Sequence, residues 1–293
     1  MADGTAGLEG VEELGSKFQS RIKGLDMPAG LTDILSSNGK HIFMRSQKFD
    51  KSFKRLETRS SKLSKEKVED GDRHIFCAFG FLESSWMHRI YWVYGSQHES
   101  GYNGWWRNGL VAPAGRILVS DEDAIYGYGR LGKYWSLVSA LEYQLFSAKK
   151  TVDKEKAVKA ITLRNHYVGW SGLAKTDGAI LAPQYNWQRK MPPLQARAMV
   201  SAGDKLVVAG IPDVVDEEKA HFSTMDPGVQ KLLEKQKEAV QGKHGGILLI
   251  VDKKTGEPVA RRELTSPPVW DGMLCAYGKI YVACVDGTVV CLD

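Results

Sequence analysis

The densest run of chemically capable residues is Trp86, His88, Arg89, Tyr91, Trp92 and Tyr94. A His–Arg pair at the mouth of a strand can hold a carboxylate or a phosphate through charge-assisted hydrogen bonds, and Trp86 with Trp92 can offer flat rings for a sugar. The same residues have a structural use: aromatics fill the space between sheets while His88 and Arg89 satisfy backbone carbonyls. A second candidate is the glycine-bounded stretch SGYNGWWRNG, with Tyr102, Trp105, Trp106 and Arg107. Two consecutive tryptophans in a loop cannot both face one core, so at least one is expected at a loop contact or on the surface as a binding platform. The third is PPVWDGM, where Trp270 and Asp271 stand just before a strand and Asp271 either meets a ligand or caps the turn at Gly272. The corresponding position before Met199 is Arg197, so the carboxylate does not repeat. The candidate binding residues are therefore Trp86, His88, Arg89, Trp105, Trp106, Trp270 and Asp271.

Other chemistries find no support. Seven histidines scattered through 293 residues give too many chance triads to assemble a Ser-His-Asp set. H-E-x-x-H, P-loop and dinucleotide fingerprints do not occur. Cys77, Cys275, Cys284 and Cys291 form no CxxC or Cys/His cluster, so no metal site is expected. In YVACVDGTVVCLD, strict alternation around an Asp286-Gly287 turn places Val282, Cys284, Val289 and Cys291 on one face, as buried apolar fillers rather than a redox pair. A formal charge of +5, from 40 basic and 35 acidic residues, is too small to mark a nucleic-acid protein. Basic and aromatic residues do not interleave as a single-strand groove needs. No apolar run approaches the roughly 18 residues of a membrane span, and the opening MADGTAGLEG lacks the basic and apolar regions of a signal peptide.

Short alternating strands must position these residues. Residues 1–30 read as a leader with one amphipathic piece around Val11 to Ile22, and residues 31–293 as one repeat domain with insertions at 48–72 and 213–242. Thirty glycines punctuate that domain, above the usual frequency. DILSSNGKHIFMRS from Asp33, RILVSDEDAIYGYG from Arg116, AMVSAGDKLVVAG from Ala198 and GMLCAYGKIYVAC from Gly272 share one pattern of strand, polar turn and strand. The last two align without a gap at an offset of 74 residues, Met199 with Met273 and Ala209 with Ala283. The earlier spacings are close to twice a propeller blade of roughly 40 to 45 residues. Intermediate units are expected in HIFCAFG with HRIYWVYG and, more faintly, in AITLRNHYVGWSG. From GGILLIVD to the end the text reads as one complete blade. Residues 48–72 are a charge run with Phe49 and Phe53 and little else to bury, read as a solvated excursion. Asp226-Pro227, then Val229, Leu232, Leu233, Gln236 and Val240 at helical spacing before Gly242, predict one inserted helix packed on the rim.

The closing segment resembles the pyrroloquinoline-quinone-like (PQQ-like) propeller repeat, whose blades end in G-K-x-Y-V-x-x-x-D-G-x-V-x-x-L-D. Here these are Gly278, Lys279, Tyr281, Val282, Asp286, Gly287, Val289, Leu292 and Asp293. SSWMHRIYWVYG, APAGRILVSDEDAIYGYGR and ARAMVSAGDKLVVAGIPDVVDEE are similar to the C-terminal part of large bacterial, notably planctomycete, proteins of this type. The resemblance spans roughly Thr32 to Asp293. It implies an all-β propeller, of a type whose rings often hold eight blades; about six units are visible here, so about six to seven four-stranded blades are expected, closed in part by residues near 30 to 45. It also implies an exported or envelope location, and leaves open a longer polypeptide. It is specific for fold and weak for activity. Quinone dehydrogenases of similar fold carry an adjacent-cysteine pair and a Glu/Asn/Asp calcium site, and neither motif is present, so no cofactor is expected. The leading expectation is a non-catalytic module binding a protein, a glycan or an envelope component. The alternatives are a PQQ-dependent or polysaccharide-active enzyme domain, and a purely structural module of a larger protein.

Overall fold

The computed structural model describes residues 35–44, 47–56, 63–65, 68, 72–77, 92–97, 104–130, 143–162 and 181–293. All four repeats fold as antiparallel hairpins. Ser36–Ser37 (β1) pairs with Ile42–Met44 (β2), and Ile117–Ser120 (β7) with Ala124–Arg130 (β8). Leu194–Ala202 (β11) pairs with Lys205–Pro212 (β12), and Pro268–Ala276 (β15) with Lys279–Cys284 (β16). Their turns are made locally. Asn38 Oδ1 accepts from the amides of Lys40 and His41, and Asp121 Oδ1 from those of Asp123 and Ala124. Gly203, Tyr277 and Gly278 turn with positive φ, as tight hairpins require.

The described residues belong to two compact units. In the first, Gln47–Phe49 (β3) extends the β1-β2 sheet, and a second sheet runs His74–Cys77 (β4), Trp92–Gly95 (β5), Ala114–Gly115 (β6). Two short helices, Gly104–Val111 (α1) and Lys154–Thr162 (α2), pack together, with Leu110, Ala157 and Ala160 buried.

In the second unit β7 and β8 continue through Tyr143–Val152 (β9) to Pro183–Lys190 (β10) in the order β10-β9-β8-β7. The next sheet is β11-β12-β13-β14, with Gly246–Asp252 as β13 and Pro258–Leu264 as β14. The third is β15-β16-β17, with Val289–Leu292 as β17. Strand β11 lies beside both β7 and β15. The period-2 alternation explains this stacking. Strand β12 sends Leu206 and Val208 into a core shared with Tyr126, Tyr128 and Leu145 of the preceding sheet. Its alternate residues, Val207 and Ala209, enter a second core with Met273, Val282 and Cys284 of the following sheet. A sheet apolar on both faces has to be covered on both. The protein is thus largely all-β, with several small antiparallel sheets, a few short helices and strand contacts between residues far apart in sequence.

The structure corrects several expectations. Four helices, not one, stand among the described residues; besides α1 and α2 they are Glu217–Phe222 (α3) and Pro227–Val240 (α4). The Asp226 cap of α4 is as expected, its carboxylate accepting from the amides of Gly228 and Val229. Gln236 ties α4 to the end of β12 by accepting from Val214 N and donating to Pro212 O. AITLRNHYVGWSG does not begin a strand unit: its first residues end α2, and the rest lies outside the described residues. The segment from GGILLIVD onward is not one blade. Strands β13 and β14 complete the sheet of β11, and a new sheet starts at Pro268. Pro267 and Pro268 have no amide hydrogen to carry a ladder across that point. The 48–72 run also buries more than Phe49, since Leu63 and Val68 are inside while Phe53 is largely exposed at φ 63°.

The last hairpin has a different register from the expected one. Ala283 faces Val289 and Tyr281 faces Cys291, leaving a three-residue loop from Val285 to Gly287, with Gly287 at φ 85°. One extra loop residue shifts the pairing by one and turns β17 over. Val290 and Leu292 then pack beside Val282 and Cys284, whereas Val289 and Cys291 are exposed.

Candidate functional site

Trp86, His88 and Arg89 lie outside the described residues. Trp105 and Trp106 fall within α1 instead of a loop. Farther along, Trp92 and Tyr94 stand on β5, where Tyr94 lines a small concavity with Val68, Arg73, Gln97, Val111 and Val152. Burial raises the Tyr94 phenol above its ordinary value, against a smaller opposing pull from Arg73.

Trp270 and Asp271 are the candidates whose side chains the structure places. Both stand in an irregularity of β15, because the ladder with β16 is interrupted between Pro268 and Met273. Gly272 allows the interruption to be tight: a Cβ there would come within 2.3 Å of a Val269 methyl. Bulges re-aim side chains, and here Trp270 is left 50 % exposed and Asp271 exposed at φ 53°. A left-handed backbone at a non-glycine residue is a strained conformation that its surroundings must hold. Among the described residues the Asp271 carboxylate makes no hydrogen bond or ion pair, so it is not the cap of a Gly272 turn. Partial desolvation raises its pKa.

The repeat places a second irregularity beside the first. Strand β11 shifts register between Ala196 and Ala198, so that Arg197 is the extra residue, at the position the 74-residue offset equates with Asp271. Arg197 Nη1 donates to the carbonyl of Pro268 at 3.2 Å. On the other side of β11, Arg116 immediately precedes β7, and its amide donates to Tyr128 O. Its guanidinium carbon lies 4.2 Å from the centroid of the Trp270 ring, and Nη1 is 3.5 Å from the Tyr143 hydroxyl. Two arginines thus converge on residues 268–270 from neighbouring strands. Neither Arg116 nor Arg197 was singled out from sequence. The signal was present in the repeat alignment, which puts Arg197 and Asp271 in register.

Among the described residues no group of three His, Cys, Asp or Glu side chains converges in a way that could hold a metal ion. Compared with protein-family models and with curated proteins, the chain matches none. The arrangement around Trp270 can do three things chemically: offer a flat apolar surface, donate from guanidinium nitrogens, and accept at a carboxylate. Among the described residues of this arrangement no nucleophile is paired with a base. Among the described residues no helix is long and apolar enough to cross a membrane.

Proposed function

We propose that the chain is a non-catalytic binding module of the β-propeller type, built from PQQ-like repeats in about six to seven blades, that engages its ligand at the leading ends of neighbouring strands around Trp270. Its partner is a protein, glycan or other component of the cell envelope, where the module works. The single observation that carries this reading is Trp270 with Asp271: a half-exposed indole beside an exposed carboxylate, both held out by a bulge with left-handed backbone at Asp271. A large ring kept in water and a strained residue next to it are costs that folding alone does not explain, and binding sites are where such costs recur. Convergent donors and acceptors without a nucleophile–base pair favour recognition over catalysis.

The test passes the whole protein and its Trp270→Ala variant over immobilised glycans and envelope extract, with melting curves recorded for both. Retention of one ligand class by the parent, lost in a variant of parental stability, supports the reading. Unchanged retention by the variant, or no retention by the parent, overturns it.

A further inference from the structure

The Asp271 carboxylate is left with its acceptor capacity unused. Among the described residues it makes no hydrogen bond and no ion pair, and the one influence on its pKa is partial desolvation, with no neighbouring cation to pull it back. Its position is set all the same. The left-handed backbone at φ 53° and the close approach of Gly272 to Val269 hold it beside Trp270. The indole is fixed from elsewhere. Arg116 lies 4.2 Å from the ring centroid, and Arg197 anchors the carbonyl of Pro268, two residues before the ring, at 3.2 Å. Half of Trp270 stays in water even with a guanidinium on its ring. A flat apolar surface and an unsatisfied acceptor therefore stand side by side, both oriented before anything binds, which lowers the ordering cost of binding.

On the strength of the binding-module reading above, we infer that Trp270 and Asp271 form a subsite for an uncharged hexose of a glycan, its ring laid on the indole and neighbouring hydroxyls donating to the Asp271 carboxylate. Two carboxylate oxygens can accept from two adjacent hydroxyls, and such charge-assisted bonds are stronger than those between neutral groups. The C–H face of the same sugar suits an amphipathic aromatic ring. Charge selects against the alternatives. An acidic sugar would bring a second negative charge toward Asp271, and like charges brought together at an interface cost affinity. A cation stacked on Trp270 would share the ring with a guanidinium already there. An apolar peptide would use the ring and leave the partly desolvated carboxylate without a donor.

The experiment is calorimetric titration of the whole protein with cellohexaose, a β-1,4-galactan oligosaccharide, an oligogalacturonate and a poly-lysine peptide. Binding of at least one of the two neutral oligosaccharides is expected, nearly unchanged by added salt because the ligand has no charge to screen. Asp271→Asn keeps the side-chain shape and tolerates the left-handed backbone. It is expected to weaken that binding by about tenfold or more, the size of a lost charge-assisted hydrogen bond. Trp270→Ala is expected to abolish it. Neutral-sugar binding that Trp270→Ala abolishes and Asp271→Asn leaves unchanged overturns the inference and leaves the binding module standing. So does a preference for oligogalacturonate or poly-lysine that depends on Trp270. Failure of both neutral oligosaccharides to bind overturns the inference, and Trp270-dependent retention of an envelope component would then keep the module alone. Binding indifferent to Trp270→Ala overturns both.

Discussion

Lys253 forms an ion pair with Asp121 although the two residues belong to different sheets, Lys253 following β13 and Asp121 following β7. The same ammonium donates to Gly203 O at 2.8 Å and to Ser201 Oγ at 3.0 Å, and sits 5.1 Å from the Tyr126 ring centroid. One cation therefore ties the β7–β8 turn to the β11–β12 turn, with both side chains mostly buried. Desolvation alone would raise the Asp121 pKa, but the Lys253 hydrogen bond and the amides of Ala124 and Asp123 outweigh it and hold the value at about 2.

A folded-state pKa below the unfolded one stabilises the protein above the unfolded value, and that contribution disappears as pH falls through the folded value. Asp121 therefore contributes about 2 kcal/mol at neutral pH, lost between about pH 4 and pH 2. Urea unfolding of Asp121→Asn at pH 7 should show a loss of that order, and the gap to the parent should close at about pH 2. A gap that persists at low pH would show that the charge is not the source.

The sheet containing β8 is tightly packed at Gly127. A Cβ on this residue would stand 2.1 Å from Phe146 Cζ and 2.7 Å from a Leu118 methyl. Phe146 is fully buried and packs edge-on against Tyr185, at 5.2 Å between ring centroids, so it has no room to retreat. Gly127→Ala should cost about 1–3 kcal/mol through overpacking. The same change in a Phe146→Leu background should cost less, and equal costs in both backgrounds would locate the problem in the backbone.

Alternation and repeat spacing were enough to locate the hairpins, because each polar turn with its own Asn, Asp or Gly is a local signal. Sheet boundaries are not local. The text from GGILLIVD onward has the right number of strands for one blade, but partner choice depends on which strand β13 meets, and β12 was already beside it. The tryptophans at 105 and 106 were read as loop residues because glycines bracket them, yet a helix begins at Gly104. At the candidate site the sequence reading set Trp270 and Asp271 just before a strand, whereas both stand inside β15, at the interruption of its ladder. Arg197 was visible only through its alignment with Asp271, and its approach to Arg116 exists only across strands.

The final hairpin offers a chemical check on register. With a two-residue Asp286-Gly287 turn, Cys291 would share the buried face of Cys284. The observed three-residue loop puts Cys291 in solvent, leaves Cys275 half-buried and keeps Cys77 and Cys284 inside. Under native conditions a maleimide should modify Cys291 first, Cys275 more slowly, and Cys77 and Cys284 only on unfolding. Peptide mapping by mass spectrometry gives the order, and protection of Cys291 would favour the other register.

Asp271 separates stability from binding. Partial desolvation raises its pKa, so its protonated form is favoured in the folded state. The sign is opposite to that of Asp121: folding stability declines as pH rises from the unfolded to the folded pKa, and the penalty remains in full above the latter. Asp271→Asn removes this penalty, and asparagine tolerates the left-handed backbone at φ 53°. The variant should therefore be at least as stable as the parent at pH 7, with any advantage vanishing below about pH 4, where the parent carboxyl is protonated in both states. Asp271→Gly should be as stable or slightly more so, since glycine also relieves the backbone strain. If the residue serves recognition, both variants lose ligand retention while keeping or gaining stability, the trade expected where a strained residue is retained for function. Thermal melts at pH 4 and pH 7, paired with the retention assay, decide the matter. A variant less stable at pH 7 would mean that Asp271 holds the bulge together, and its exposed carboxylate would then need no ligand to account for it.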